Sequence, residues 1–147
     1  MLNAEKTKAF IHEHWDSWYV AGLSDFIRVP NLTPMVDPEF TKNGLIEQAM
    51  VCVDEYINKL EIKGMSKKIF QPEGMTPLIV YVVEKSEHGK DTQLMFYGHL
   101  DKQPYGPGWE EGLSPTDPVI RGDFMWGRGS ADDGYSAFAC MLAVKAV

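Results

Sequence analysis

Two short stretches of this 147-residue chain hold residue types that can do chemistry together. The first is Gly98-His99-Leu100-Asp101, at the end of an apolar run. Side chains two apart on a strand face the same way, so His99 and Asp101 can meet at the strand's C-terminal edge. That edge is where open α/β sheets bind ligands. A carboxylate accepting one imidazole N–H fixes the ring and leaves the other nitrogen as a more basic metal ligand. Taken alone, a His-x-Asp pair is more often a structural hydrogen bond than a metal site.

The second stretch is Gly127-Arg128-Gly129-Ser130-Ala131-Asp132-Asp133-Gly134. It leads into an apolar helical pattern. Carboxylates at a helix start commonly cap free N–H groups and favour the positive helix end. The glycines permit close backbone approach or unusual dihedrals. Gly127 and Gly129 also make a Gly-x-Gly. The third glycine of a dinucleotide fingerprint is missing, however, and acidic residues would face the phosphates.

The elements that must position these motifs can be read from periodicity. Residues 4–28 predict a helix, with Phe10, Ile11, Trp15, Trp18, Tyr19, Leu23, Phe26 and Ile27 at three- and four-residue spacing; Gly22 is a point of division and Pro30 closes it. Residues 31–40 form a loop. A second helix is expected over about 45–62, with Leu45, Ala49, Val53, Tyr56, Ile57 and Leu60 on one face and Gly64 as its stop. Residues 67–71 read as a short strand. The unbroken apolar run Leu78–Val83 predicts a central strand covered on both sides. Residues 86–91 are a polar turn and 93–100 a second buried strand. Residues 102–118 form a long Pro- and Gly-rich loop of the kind that is usually functional or disordered. Residues 119–126 predict a hairpin with Gly122-Asp123 at its tip. A last helix starts near Asp133 and reaches Val147 with no terminal cap, which reads as a chain cut in mid-helix. Helices, then strands, then a helix predict an α/β layered domain lacking its C-terminal elements.

Composition sets the outer bounds. The net charge of −7, with acids spread along the chain, argues against nucleic acid or an anionic membrane as partner. No apolar run approaches the roughly 20 residues of a membrane helix, and the first ten residues lack a signal-peptide core. Cys52 and Cys140 lie in apolar helical contexts and read as small buried hydrophobes rather than a disulfide framework. A cytoplasmic location is the expectation.

Together the two motifs say more than either alone. Their order, spacing and flanks resemble the family of carnosinase, cytosolic nonspecific dipeptidase, acetylornithine deacetylase and succinyl-diaminopimelate desuccinylase. In those enzymes a strand ends in Gly-His-x-Asp, a loop with a Trp and a Pro follows, and a hairpin delivers Gly-Arg-Gly-x-x-Asp and a helix. Here the pieces are Gly98–Asp101, Trp109, Pro115, the Gly122-Asp123 hairpin and Gly127–Asp132. Upstream, Phe26–Pro30 resembles the family's signature at the end of its first helix, and Thr76–Val80 its strand start. Gly98–Pro104 with Gly127–Asp133 leans toward the dipeptidase branch.

The resemblance implies a fold, a site and a reaction. The fold would be the layered helix–sheet–helix α/β catalytic domain of a zinc-dependent exopeptidase, truncated at its C-terminal side. Residues 1–147 would be the N-terminal part of that single domain, without the lid domain through which the family dimerises. His99 would be a metal ligand, Asp101 the catalytic-site aspartate that orients it, and Asp132 the carboxylate bridging two metal ions, with Asp133 beside the site. The peptide bond after Asp132 would be cis. The ions would be zinc, with manganese or cobalt as alternatives, and they would activate a water against the amide of a dipeptide or acyl-amino acid. The family's general-base glutamate and remaining ligands lie beyond Val147, so this stretch by itself should be inactive. Glu110-Glu111 precede the bridge and read as solvated loop charges; His12, His14 and His88 are poorly placed as ligands. The sequence departs from the family pattern at Gly134-Tyr135, where Lys-Gly is usual, and at the hairpin tip, where Gly-Asp replaces Asp-Gly. Arg128 suits a substrate carboxylate, and between two glycines it equally suits bracing the loop. Trp109 and Trp126 suit a site wall or ordinary packing. The rival reading is a truncated or catalytically dead module that binds or regulates.

Overall fold

The computed structural model describes residues 3–87, 89 and 92–147. His88 and part of the expected polar turn lie outside the described residues. The chain begins with helix α1 (Ala4–His14), capped by the Asn3 side chain, which accepts from the Lys6 N–H at 3.0 Å. A wider π-type turn over Trp15–Val20 follows, and then α2 (Ala21–Arg28). The division expected at Gly22 therefore falls earlier. The π turn holds more residues per turn than an α-helix and so changes the inward face. α1 buries none of its residues, whereas α2 buries Gly22, Leu23, Phe26 and Ile27. Within the π turn Trp18 points into the core and donates its indole N–H to the Tyr56 carbonyl at 2.7 Å.

Helix α3 (Phe40–Asn43) is a single turn and α4 (Leu45–Asn58) is the second long helix. α4 ends four residues short of the expected boundary, with Gly64 at φ +73° beyond it. Its buried face is Ile46, Ala49, Met50, Val53 and Ile57. α5 (Gly134–Ala146) supplies Phe138 and Leu142. The core is the seam where α2, α4 and α5 meet, with Trp18, Tyr19 and Tyr56 edge-on around the Phe138 ring at 5.7, 6.4 and 6.1 Å. Gly22 makes the approach possible, since a Cβ there would lie 2.5 Å from the Phe138 ring. Cys52 and Cys140 are free and half-buried on this helical layer.

The strands form two antiparallel hairpins. β1 (Met65–Phe70) pairs with β2 (Leu78–Val83), Lys67 opposite Tyr81. β3 (Val119–Arg121) pairs with β4 (Phe124–Trp126), with Gly122-Asp123 as the expected tip and Gly122 at φ +58°. Asp54 of α4 anchors the first hairpin, pairing with Lys67 and accepting from the Tyr81 hydroxyl at 2.7 Å. The mixture of helices and small sheets is α/β.

Two strand expectations are corrected. β2 is not a covered central strand: it has β1 as its partner among the described residues, and Leu78, Val82 and Val83 are exposed. Residues 92–100 form no strand, and Leu94 and Met95 are 80% and 94% exposed. A strand exists through hydrogen bonds to a neighbour. Among the described residues no strand pairs with this stretch.

Candidate metal centre

The extended segment that ends in His99 runs into the start of α5. Gly98 permits this contact: a Cβ there would lie 2.2 Å from Ser136 Oγ. Asp133 then fastens the two pieces. Its Oδ2 accepts the His99 backbone N–H at 3.2 Å and the Ser136 hydroxyl at 2.9 Å. The capping role considered for this carboxylate is thus not realised, as it takes no backbone N–H of α5. The Asp132–Asp133 peptide bond is cis, and Asp132 turns outward with its side chain 62% exposed.

The His99 ring lies between two carboxylates. Nδ1 is 3.1 Å from Asp101 Oδ1 and 3.1 Å from the Asp101 carbonyl oxygen. Both partners can only accept, so Nδ1 carries a hydrogen and donates. Nε2 then faces Asp132 Oδ1 at 3.2 Å. An unprotonated Nε2 would set two acceptors facing each other; a proton on Nε2, or a cation held by both groups, relieves this. Burial by itself would lower the His99 pKa; the Asp101 carbonyl and the charges of Asp101, Asp133 and Asp132 outweigh it and raise the pKa above the usual histidine value.

The same donors suit a divalent ion. A nitrogen and an oxygen bound to one tetrahedral zinc are about 3.4 Å apart, close to the His99–Asp132 separation here. Imidazole and carboxylate are accepted by zinc, manganese and cobalt alike. Among the described residues, no group of three or more His, Cys, Asp or Glu converges to hold an ion.

Sequence reasoning missed Lys102. It is 1% exposed, and its ammonium donates to the carbonyls of Phe26 at 2.6 Å, Ile27 at 3.3 Å and Val29 at 2.6 Å, while lying 4.2 Å above the Phe26 ring. Burial pushes this amine down to about 7, with the Cys52 thiol opposing. The one faint sequence signal for it is Pro30, which leaves the last carbonyls of α2 without helical donors but does not say which residue supplies them. Asn31, fully buried, donates to the Leu100 carbonyl at 2.8 Å, and the Thr33 N–H to that of Lys102 at 2.8 Å. The remaining candidates stay apart from the centre. Glu110 and Glu111 are exposed, and Glu110 is 3.7 Å from Arg121. His12 is exposed, and His14 stacks on Phe10 with its Nδ1 on the Phe10 carbonyl.

The site is of the histidine–carboxylate kind that metallohydrolases use. Comparison with known proteins gives the same class: residues 95–147 match the sequence profile "Peptidase family M20/M25/M40". Over these residues the chain is similar to this family. It is 30% identical over 131 residues to the protein described as uncharacterized metallohydrolase MJ0457 of Methanocaldococcus jannaschii, covering 84% of this chain and 30% of that protein. It is 33% identical over 76 residues to succinyl-diaminopimelate desuccinylase of Nitratiruptor sp., covering 52% of this chain and 19% of that enzyme. With the enzyme of the same name from Nitrosomonas europaea it shares 40% identity over 58 residues, 39% of this chain and 15% of that enzyme. The matches thus span less than a third of each of these relatives.

Proposed function

We propose that this chain supplies one part of the catalytic centre of a metal-dependent amide hydrolase. His99 would serve as a metal ligand, Asp132 as the bridging carboxylate and Asp101 as the residue that orients His99. The observation that carries the reading is the His99 Nε2–Asp132 Oδ1 pair at 3.2 Å, a separation that lets both atoms ligate one ion. Bound there, two divalent ions would supply an activated water and a polarised amide carbonyl. The chain's own residues do the preparation. Asp101 holds the His99 tautomer, and Asp133 fixes the His99 backbone. Asp132 presents a carboxylate with room for a second ion on its solvent side.

The substrate class we propose is a peptide or acyl-amino-acid amide. The relatives named succinyl-diaminopimelate desuccinylase favour the acyl-amino-acid end of that range over the dipeptide. The proposal extends to a layered catalytic domain of which residues 1–147 form the N-terminal part, to a dimeric full-length enzyme, and to a cytoplasmic location. Among the described residues no helix is long and apolar enough to cross a membrane. With two ligand side chains converging among the described residues, residues 1–147 should hold metal weakly and hydrolyse nothing by themselves.

Cobalt(II) titration followed by its visible absorption tests the reading. The chain should bind cobalt, His99→Ala and Asp132→Ala should lose that binding, and Asp101→Asn should weaken it about 10–100-fold. Unchanged cobalt affinity in His99→Ala or Asp132→Ala would sink the assignment.

A further inference from the structure

The loops leaving the two motifs meet in a cleft of about 340 Å³, walled by Tyr105, Pro107, Trp109, Leu113, Trp126 and Arg128. The backbone holds Arg128 in place, its N–H donating to the Pro115 carbonyl at 2.8 Å. The guanidinium is poorly used. Its recorded hydrogen bond is a long one, from Nη2 to the Tyr105 carbonyl at 3.3 Å. Nε is buried with no acceptor, and among the described residues no carboxylate pairs with the side chain. A half-buried arginine without a counter-ion is unusual, because desolvated N–H groups seek acceptors. The surrounding wall is rigid and flat: Trp109 is pinned by its indole N–H to the Tyr105 carbonyl at 2.9 Å. Glu110 at the rim is exposed and turned toward Arg121, so it does not neutralise Arg128.

We propose that this cleft binds an organic carboxylate carried on a flat apolar group, with Arg128 receiving the carboxylate and the Trp109 and Trp126 rings the apolar part. Guanidinium is the side chain whose planar fork matches a carboxylate. Aromatic walls give apolar contact at low entropic cost. Bracing and binding, which the sequence left as alternatives, are compatible in one residue: the backbone N–H and one Nη2 contact brace the loop, and the rest of the guanidinium is left for a ligand. The ligand class overlaps the acyl-amino-acid substrates proposed above, but the site is defined without metal. It is therefore tested in metal-free protein, where the two readings fail separately.

The probes are hippurate and its uncharged amide, hippuramide, added to the metal-free chain while the indole N–H signals of Trp109 and Trp126 are followed by NMR. Hippurate should shift both signals and bind about tenfold or more tightly than hippuramide, the difference expected for a charge-assisted contact. Arg128→Met, checked for an unchanged circular dichroism spectrum, should lose that preference. Equal binding of the two probes to the unaltered chain would overturn the proposal without any variant. So would the absence of hippurate binding at about 10 mM, far above the range of a specific site, or an undiminished preference in Arg128→Met.

Discussion

Lys102 Nζ lies 2.6 Å from the Phe26 carbonyl oxygen, so the residue after the His-x-Asp motif closes the end of helix α2. Replacing it with methionine keeps the bulk and removes the donors. The Ile27 and Val29 carbonyls would lose the ammonium they now share. Lys102→Met should cost about 2–3 kcal/mol, read as a fall in Tm of about 6–10 °C for a chain of this size. An unchanged Tm would mean that water satisfies these carbonyls.

The raised pKa of His99 gives a pH dependence with a definite sign. Its folded value lies above the ordinary 6.5, so the metal-free folded chain binds the proton more tightly than the unfolded one. That stabilisation is fully present below pH 6.5 and is lost as pH rises through the folded value. NMR titration of the His99 ring should show the raised midpoint, and Asp101→Asn should lower it. A midpoint unmoved by Asp101→Asn would leave Asp101 without its orienting role.

Gly134, where the family usually has lysine, is set by packing. A Cβ there would lie 2.1 Å from Phe26 Cε1 and 2.8 Å from the Gly129 carbonyl oxygen. Gly134→Ala should therefore destabilise by about 1–3 kcal/mol despite alanine's better helix propensity. Urea denaturation measures it, and a stabilised variant would show that the Phe26 ring yields.

The bare apolar segments predict self-association. Leu78, Val82, Leu94 and Met95 are exposed on β2 and on an unpaired stretch, the combination that templates edge pairing. Light scattering should rise with concentration, and Val82→Lys with Met95→Lys should suppress it at little change in stability. A monodisperse monomer at high concentration would contradict this.

The legible and illegible parts of the molecule divide on physical lines. The His99–Asp101 pair was readable from its two-residue spacing, and the approach of Asp132 only through the family resemblance. The β3–β4 hairpin was readable because its tip needs a glycine. Lys102 was not, because lysine defaults to the surface and its acceptors come from a helix some seventy residues earlier. The π turn at Trp15–Val20 was hidden because aromatic spacing fits an unbroken helix as well. Residues 93–100 read as a strand because an apolar run suggests burial, whereas strand geometry needs a partner, and none pairs with them among the described residues.

One consequence lies in how the long segment after Asp101 is hung. Lys102 grips the end of α2 from one side. Gly127 lies against Ile27 and Gly134 against Phe26, from the other, each close enough that a Cβ would collide, and Gly129 packs tightly against Phe26 and Lys102. Both ends of the segment are thus moored to the same helical turn, which helps to fix the His99–Asp132 spacing. Residues 103–126 hang between these moorings, so changes in their length or decoration should disturb the His99–Asp132 pair less than changes at Phe26, Ile27 or Lys102.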